Sequence, residues 1–177
     1  MPFKSSLLIA SFCLTLVTAF APYAEASLAE RINQTALNAF NGNLKVTRNE
    51  VVLYGIRTNG EDTNYGRWAC AKVVSIVLRK AGLKFPLYLG VASVESALRG
   101  WQRIENESEV QPGDVVVWTH LWKGNPDGRC TGGGTCHVGI ATTSGYFHNS
   151  PARFKPVLGG MSLRALYTFK VAFRPPN

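Results

Sequence analysis

Cys70 and His137 are the residues of this chain whose types and settings point most directly to a chemistry. Cys70 opens the stretch Cys70-Ala71-Lys72-Val73-Val74-Ser75-Ile76-Val77-Leu78-Arg79-Lys80-Ala81-Gly82, whose apolar spacing predicts a helix. A thiol at a helix N-terminus meets the positive end of the helix dipole, which favours the thiolate. His137 opens a predicted strand, and a histidine on a neighbouring strand supplies the base that a cysteine nucleophile needs. His148 and Asn149 follow on the next predicted strand as rival candidates for a third residue that orients the base.

The elements that must position these residues are legible in part. An amphipathic helix is expected over 27–41, with Leu28, Ile32, Ala36, Ala39 and Phe40 near one face and Gly42 as its stop. Val51–Ile56 reads as a strand and Thr58–Tyr65 as a loop. The central helix is expected from about Trp68 to Ala81. Its apolar face holds Cys70, Val73, Val74, Val77, Leu78 and Ala81, its polar face Lys72, Ser75, Arg79 and Lys80, with Ile76 as the exception. Gly82 suits the C-terminal cap. Val91–Leu98 reads as a short helix and Trp101–Ile104 as a strand.

Gln111-Pro112-Gly113-Asp114 is a turn, followed by a buried strand at Val115–Trp118 and a polar, Gly-rich insertion over 119–135. His137–Thr142 and Gly145–Asn149 form a hairpin around Thr143-Ser144, and the tail ends in a strand over Ala165–Phe173. Helices first and strands after indicate an α+β fold with a mostly antiparallel sheet against the helices.

The chain has 177 residues, a net charge of +8 and four cysteines. Met1–Lys4, the apolar run Leu7–Ala21 and Ala24-Glu25-Ala26 together read as a secretory signal peptide over 1–26, leaving one domain over 27–177 and no stable membrane anchor. Cys13 leaves with that leader. Cys130 and Cys136 flank Thr131-Gly132-Gly133-Gly134-Thr135, a flexible loop that lets them pair, which leaves Cys70 reduced. A disulfide over so short a loop contributes about 2 kcal/mol and fixes the chain beside His137. A zinc cluster of His120, Cys130, Cys136 and His137 is the competing reading; the set lacks the tight cysteine pairs of common structural zinc sites, so no metal and no cofactor are expected. The positive charge suits an anionic partner such as a cell wall, and no alternation of basic and aromatic residues points to nucleic acid. Trp68, Trp101, Trp118 and Trp122 are expected in the core or the wall of a cleft.

Four motifs occur in one order: the Cys70–Gly82 helix, Gln111-Pro112-Gly113-Asp114-Val115-Val116-Val117-Trp118, His137-Val138-Gly139-Ile140 and His148-Asn149-Ser150. In this the chain resembles the NlpC-type cell-wall cysteine peptidases and, more distantly, the CHAP amidases, over about residues 60–150. The resemblance implies a papain-like fold, a peptidoglycan or muropeptide substrate, and hydrolysis of amide bonds in the stem peptides by an exported, monomeric enzyme. It assigns Cys70 as nucleophile, His137 as base and His148 as the orienting residue, with Asn149 as the rival. Many members carry Asp-Cys-Ser where this chain has Ala69-Cys70-Ala71, so their bond specificity does not transfer. A silent wall-binding module on the same fold, and a secreted amidase toxin, are the alternative roles.

Overall fold

The computed structural model describes residues 25–47, 50–66, 68–120, 128–130, 135–159 and 167–177. All but the last two residues of the expected leader, most of the 119–135 insertion, and Trp122 lie outside the described residues.

The first helix, α1 (Leu28–Gly42), starts at a capping box: the Ser27 hydroxyl accepts from the Glu30 amide while the Glu30 carboxylate accepts from the Ser27 amide. Ile32, Ala36 and Ala39 recur at helical spacing and are fully buried. Phe40 is 42% exposed, so the expected apolar face is narrower than its sequence spacing implied. Helix α1 includes Gly42 and ends at Asn43, whose amide donates to the Ala39 carbonyl.

Strands β1 (Leu44–Val46), β2 (Val51–Leu53) and β3 (Ile56–Arg57) form a small antiparallel sheet. The single strand expected over 51–56 is therefore a hairpin. Tyr54 and Gly55 turn with φ of 50° and 76°, and the Tyr54 hydroxyl donates to the Thr35 carbonyl at 2.7 Å. This bond compensates a backbone conformation that bulky residues rarely adopt.

Helix α2 (Cys70–Lys80) is the centre of the core. Its end is a Schellman motif: Gly82, at φ 102°, donates to Arg79 and Leu83 donates to Leu78. Ser75 and Ile76 are fully buried, against the expectation of a polar side for Ser75. Helix α1 and the short helix α3 (Val91–Ala97) flank α2, so most of its circumference is enclosed. The Ser75 hydroxyl is satisfied there, donating to the Ala71 carbonyl and accepting from the Tyr88 amide.

The main sheet contains β4 (Gln102–Ile104), β5 (Val115–His120), β6 (Cys136–Thr142), β7 (Gly145–Ser150), β8 (Lys155–Gly159) and β9 (Tyr167–Arg174). Its order is β4-β9-β5-β6-β7-β8 and every pairing is antiparallel. Among the described residues the chain is thus α+β, with three α-helices and two antiparallel sheets. Strand β5 runs two residues beyond its expected end, because Thr119 and His120 continue the ladder with β9. The tail also holds β8, which the sequence reading did not separate from the final strand.

The two faces of the main sheet differ. Val115, Val117, Val138, Ile140, Phe147, Val171 and Phe173 pack with the helices in the larger core. Val116, Trp118, Ala141 and Ala172 belong to a smaller cluster with Ile104, Tyr146, Tyr167 and Phe169. Among the described residues no helix is long and apolar enough to cross a membrane.

Candidate active site

Cys70 is the first residue of α2, and its N-cap is Ala69, which has no side chain able to cap. The first-turn amides are consequently left for another acceptor. The amides of Val138, Ala71 and Cys70 itself favour the thiolate. Val138 is the neighbour of His137 on β6.

The ladder shows where Val138 sits. Strands β6 and β7 pair from Thr142–Gly145 back to Gly139–His148 and no further. Beyond that point β7 continues against β8 while β6 continues against β5. The strands part beside His137 and His148, at Val138, whose amide favours the Cys70 thiolate.

The register also decides between the rival third residues. His148 lies opposite Gly139, on the face that carries His137, whereas Asn149 points the other way. His137 Nε2 and His148 Nδ1 are 2.9 Å apart, with the rings edge to face. Asn149 has a different job: its amide donates to the Gly66 carbonyl at 2.7 Å and anchors the segment that leads into Cys70. That segment is further pinned by Thr63, whose hydroxyl donates to Thr58 and accepts from the Gly66 amide. Asn64 and Tyr65 adopt φ of 48° and 52° within it, local strain of the kind held next to functional groups.

Gly139 makes the histidine pair possible. A Cβ there would lie 2.9 Å from the His148 Cβ and 3.2 Å from the Trp118 ring. Trp118 packs on His137 with ring centroids 6.0 Å apart and on Tyr146 at 5.0 Å. Trp118 is buried as expected, whereas Trp68 is half exposed beside the start of α2.

Both partners are deeply buried, with His137 3% and Cys70 9% exposed. Burial pushes the Cys70 thiol up, more strongly than the three backbone amides pull it down. Burial pushes His137 well below its ordinary range, and the neighbouring His148 pushes it further in the same direction. His148 is lowered by burial too, with the Asn149 carbonyl opposing. Burial of Cys70 thus opposes the thiolate that the helix terminus favours, and burial of His137 opposes its protonation.

A disulfide joins Cys130 to Cys136 and leaves Cys70 as the free cysteine among the described residues. The Lys170 ammonium donates to Cys130 Sγ at 3.4 Å and pairs with Glu95 of α3 at 2.8 Å, so the bridge is tied to α3 and β9 as well as to the start of β6. With both thiols consumed the zinc reading falls, and among the described residues no group of three or more His, Cys, Asp or Glu is placed to hold a metal ion.

Sequence reasoning missed Tyr167. Its ring packs on His137 at 5.5 Å and on His120 at 5.0 Å. All three histidines of the chain therefore belong to one row of ring contacts, His120–Tyr167–His137–His148. A strand was expected there, but nothing in local spacing tells that β9 lies beside β5 with Tyr167 opposite His120.

Compared with known proteins, the chain matches no family model, no curated protein and no solved structure. The chemistry of the site rests on its own geometry.

Proposed function

We propose that the protein is an exported, papain-like cysteine hydrolase that cleaves amide bonds in the stem peptides of peptidoglycan. The observation that carries this reading is that Cys70 stands at an uncapped helix start and is influenced by the amide of Val138, the chain neighbour of His137, whose ring is bonded to His148. A nucleophile, a base and an orienting group are the parts that acyl transfer needs. The disulfide suits an oxidising compartment, and the net charge of +8 suits an anionic wall polymer.

In this reading His137 uses the ring nitrogen not bonded to His148. It takes the thiol proton as Cys70 Sγ attacks the carbonyl, so that charge develops in the transition state and not before it. The role requires the tautomer in which His148 Nδ1 accepts from His137 Nε2, 2.9 Å away, and holds the ring as it becomes an imidazolium. First-turn amides of α2 stabilise the oxyanion. His137 then protonates the departing amine, and water releases the acyl group.

The substrate test is digestion of purified sacculi followed by mass analysis of the soluble muropeptides. Shortened stem peptides are expected with the mature protein and none with a folded Cys70→Ala variant. Equal products from both proteins would refute the reading. The burial of Cys70 favours a second one, a silent wall-binding module; binding to sacculi without any shortened stem peptide would select it.

A further inference from the structure

Tyr167 takes no part in the mechanism given so far, yet it is packed on the ring of the proposed base. Its strand partner is His120, and both lie on the sheet face of Trp118 and His137. Ring contacts at 5.0 Å and 5.5 Å hold it between His120 and His137. We propose that the Tyr167 hydroxyl is a further catalytic group, a side-chain donor to the oxyanion formed at the carbonyl that Cys70 attacks. This inference rests on the reading of Cys70 as the nucleophile.

Two properties suit Tyr167 to the role. Its ring contacts place the phenol beside the proposed base and fix its ring on two sides. The phenol also favours its protonated form: burial raises it above its ordinary range, and negative charge on Cys70, when it develops, raises it further. A donor that keeps its proton while negative charge develops nearby can stabilise that charge without titrating.

The step balances without a co-reactant. As the Sγ–C bond forms, the carbonyl π pair moves onto oxygen, and the phenol donates a hydrogen bond to it. When the oxyanion collapses, the C–N bond breaks and the amine leaves with the proton that His137 took from the thiol. Tyr167 ends the step protonated, as it began.

The test separates acyl transfer from thiol reactivity and needs no natural substrate. Acylation of Cys70 by p-nitrophenyl acetate passes through an oxyanion, whereas alkylation by iodoacetamide does not. Tyr167→Phe keeps the packed ring and removes only the hydroxyl. It is expected to slow acylation by about 10²-fold, the order found for loss of one oxyanion donor, and to leave alkylation within about twofold on the same reasoning. Unchanged acylation, or equal loss in both reactions, would overturn the role. An unchanged unfolding temperature in Tyr167→Phe assigns the loss to the hydroxyl, and a lowered one assigns it to packing and overturns the proposal. Failure of the wild type to acylate at all would instead remove the cysteine-hydrolase reading beneath it.

Discussion

Asp114 and His148 are each 1% exposed, yet their surroundings differ in kind. Asp114 has a full set of partners. Its carboxylate accepts two hydrogen bonds from Arg174, at 2.9 and 3.1 Å, and one from the Gln111 amide at 2.8 Å. That geometry closes the Gln111–Asp114 turn and fastens the end of β9. His148 and His137 are bonded to each other, with no ion pair to either among the described residues, and burial drives both away from the protonated state. Burial with a bidentate counterion makes a structural joint. In the proposed reading, burial of a base and a thiol makes a site in which proton transfer waits for a substrate.

Four outcomes would break or sharpen this contrast. Cys70→Ala is expected to lower turnover by at least about 10⁴-fold, as loss of a nucleophile does, while shifting the thermal midpoint by only a few degrees, roughly the effect of a small core change. Retention of turnover would remove Cys70 from the chemistry.

Asp114→Asn should do the reverse. It leaves Arg174, whose side chain is 22% exposed, without its counterion, at a loss of about 2 kcal/mol, between the values for exposed and buried pairs. Denaturant unfolding would measure this. Activity per folded molecule should be unchanged, and a large loss of activity would mean that the two regions are coupled.

Gly139→Ala joins the two regions of behaviour, since its Cβ must displace His148 or the Trp118 ring. Overpacking of this kind costs about 1–3 kcal/mol, and the displaced pair should also reduce turnover. Stability loss with full turnover would show that the His137–His148 bond is dispensable.

The smallest effect concerns pH. Because His137 and His148 are lowered in the folded state, the unfolded chain binds more protons below about pH 6.5. Stability from these groups is present above that pH and is lost as pH falls through the lowered folded values. The thermal midpoint should therefore drop in mild acid, and His148→Asn should drop less. For turnover the same shift keeps His137 an unprotonated base into mildly acidic solution. His148→Asn removes one cause of the shift and should move the acid limb of the rate profile upward.

Much of this site was legible because its determinants are local. Apolar spacing and Gly82 placed Cys70 near the helix start, and the two-residue turn at Thr143-Ser144 aligned the hairpin. The same alignment left His148 and Asn149 open until the register was known, since one residue reverses the face. Ser75 and Ile76 misled because their burial depends on α1 and α3 covering α2, a tertiary fact. Tyr167 was invisible for a similar reason, because β9 joins β5 across a long stretch of chain. The burial of the thiol was not legible, because desolvation depends on everything packed around Cys70, whereas the helix-terminus argument is local.

The central claim is that Cys70 carries the acyl group of the substrate. Rapid acid quench of the mature protein with purified muropeptides, followed by intact mass and peptide mapping, tests it directly. The account predicts a transient adduct of stem-peptide mass on the peptide containing Cys70, absent in Cys70→Ala. Muropeptide cleavage with no adduct on Cys70, persisting in the variant, would contradict it.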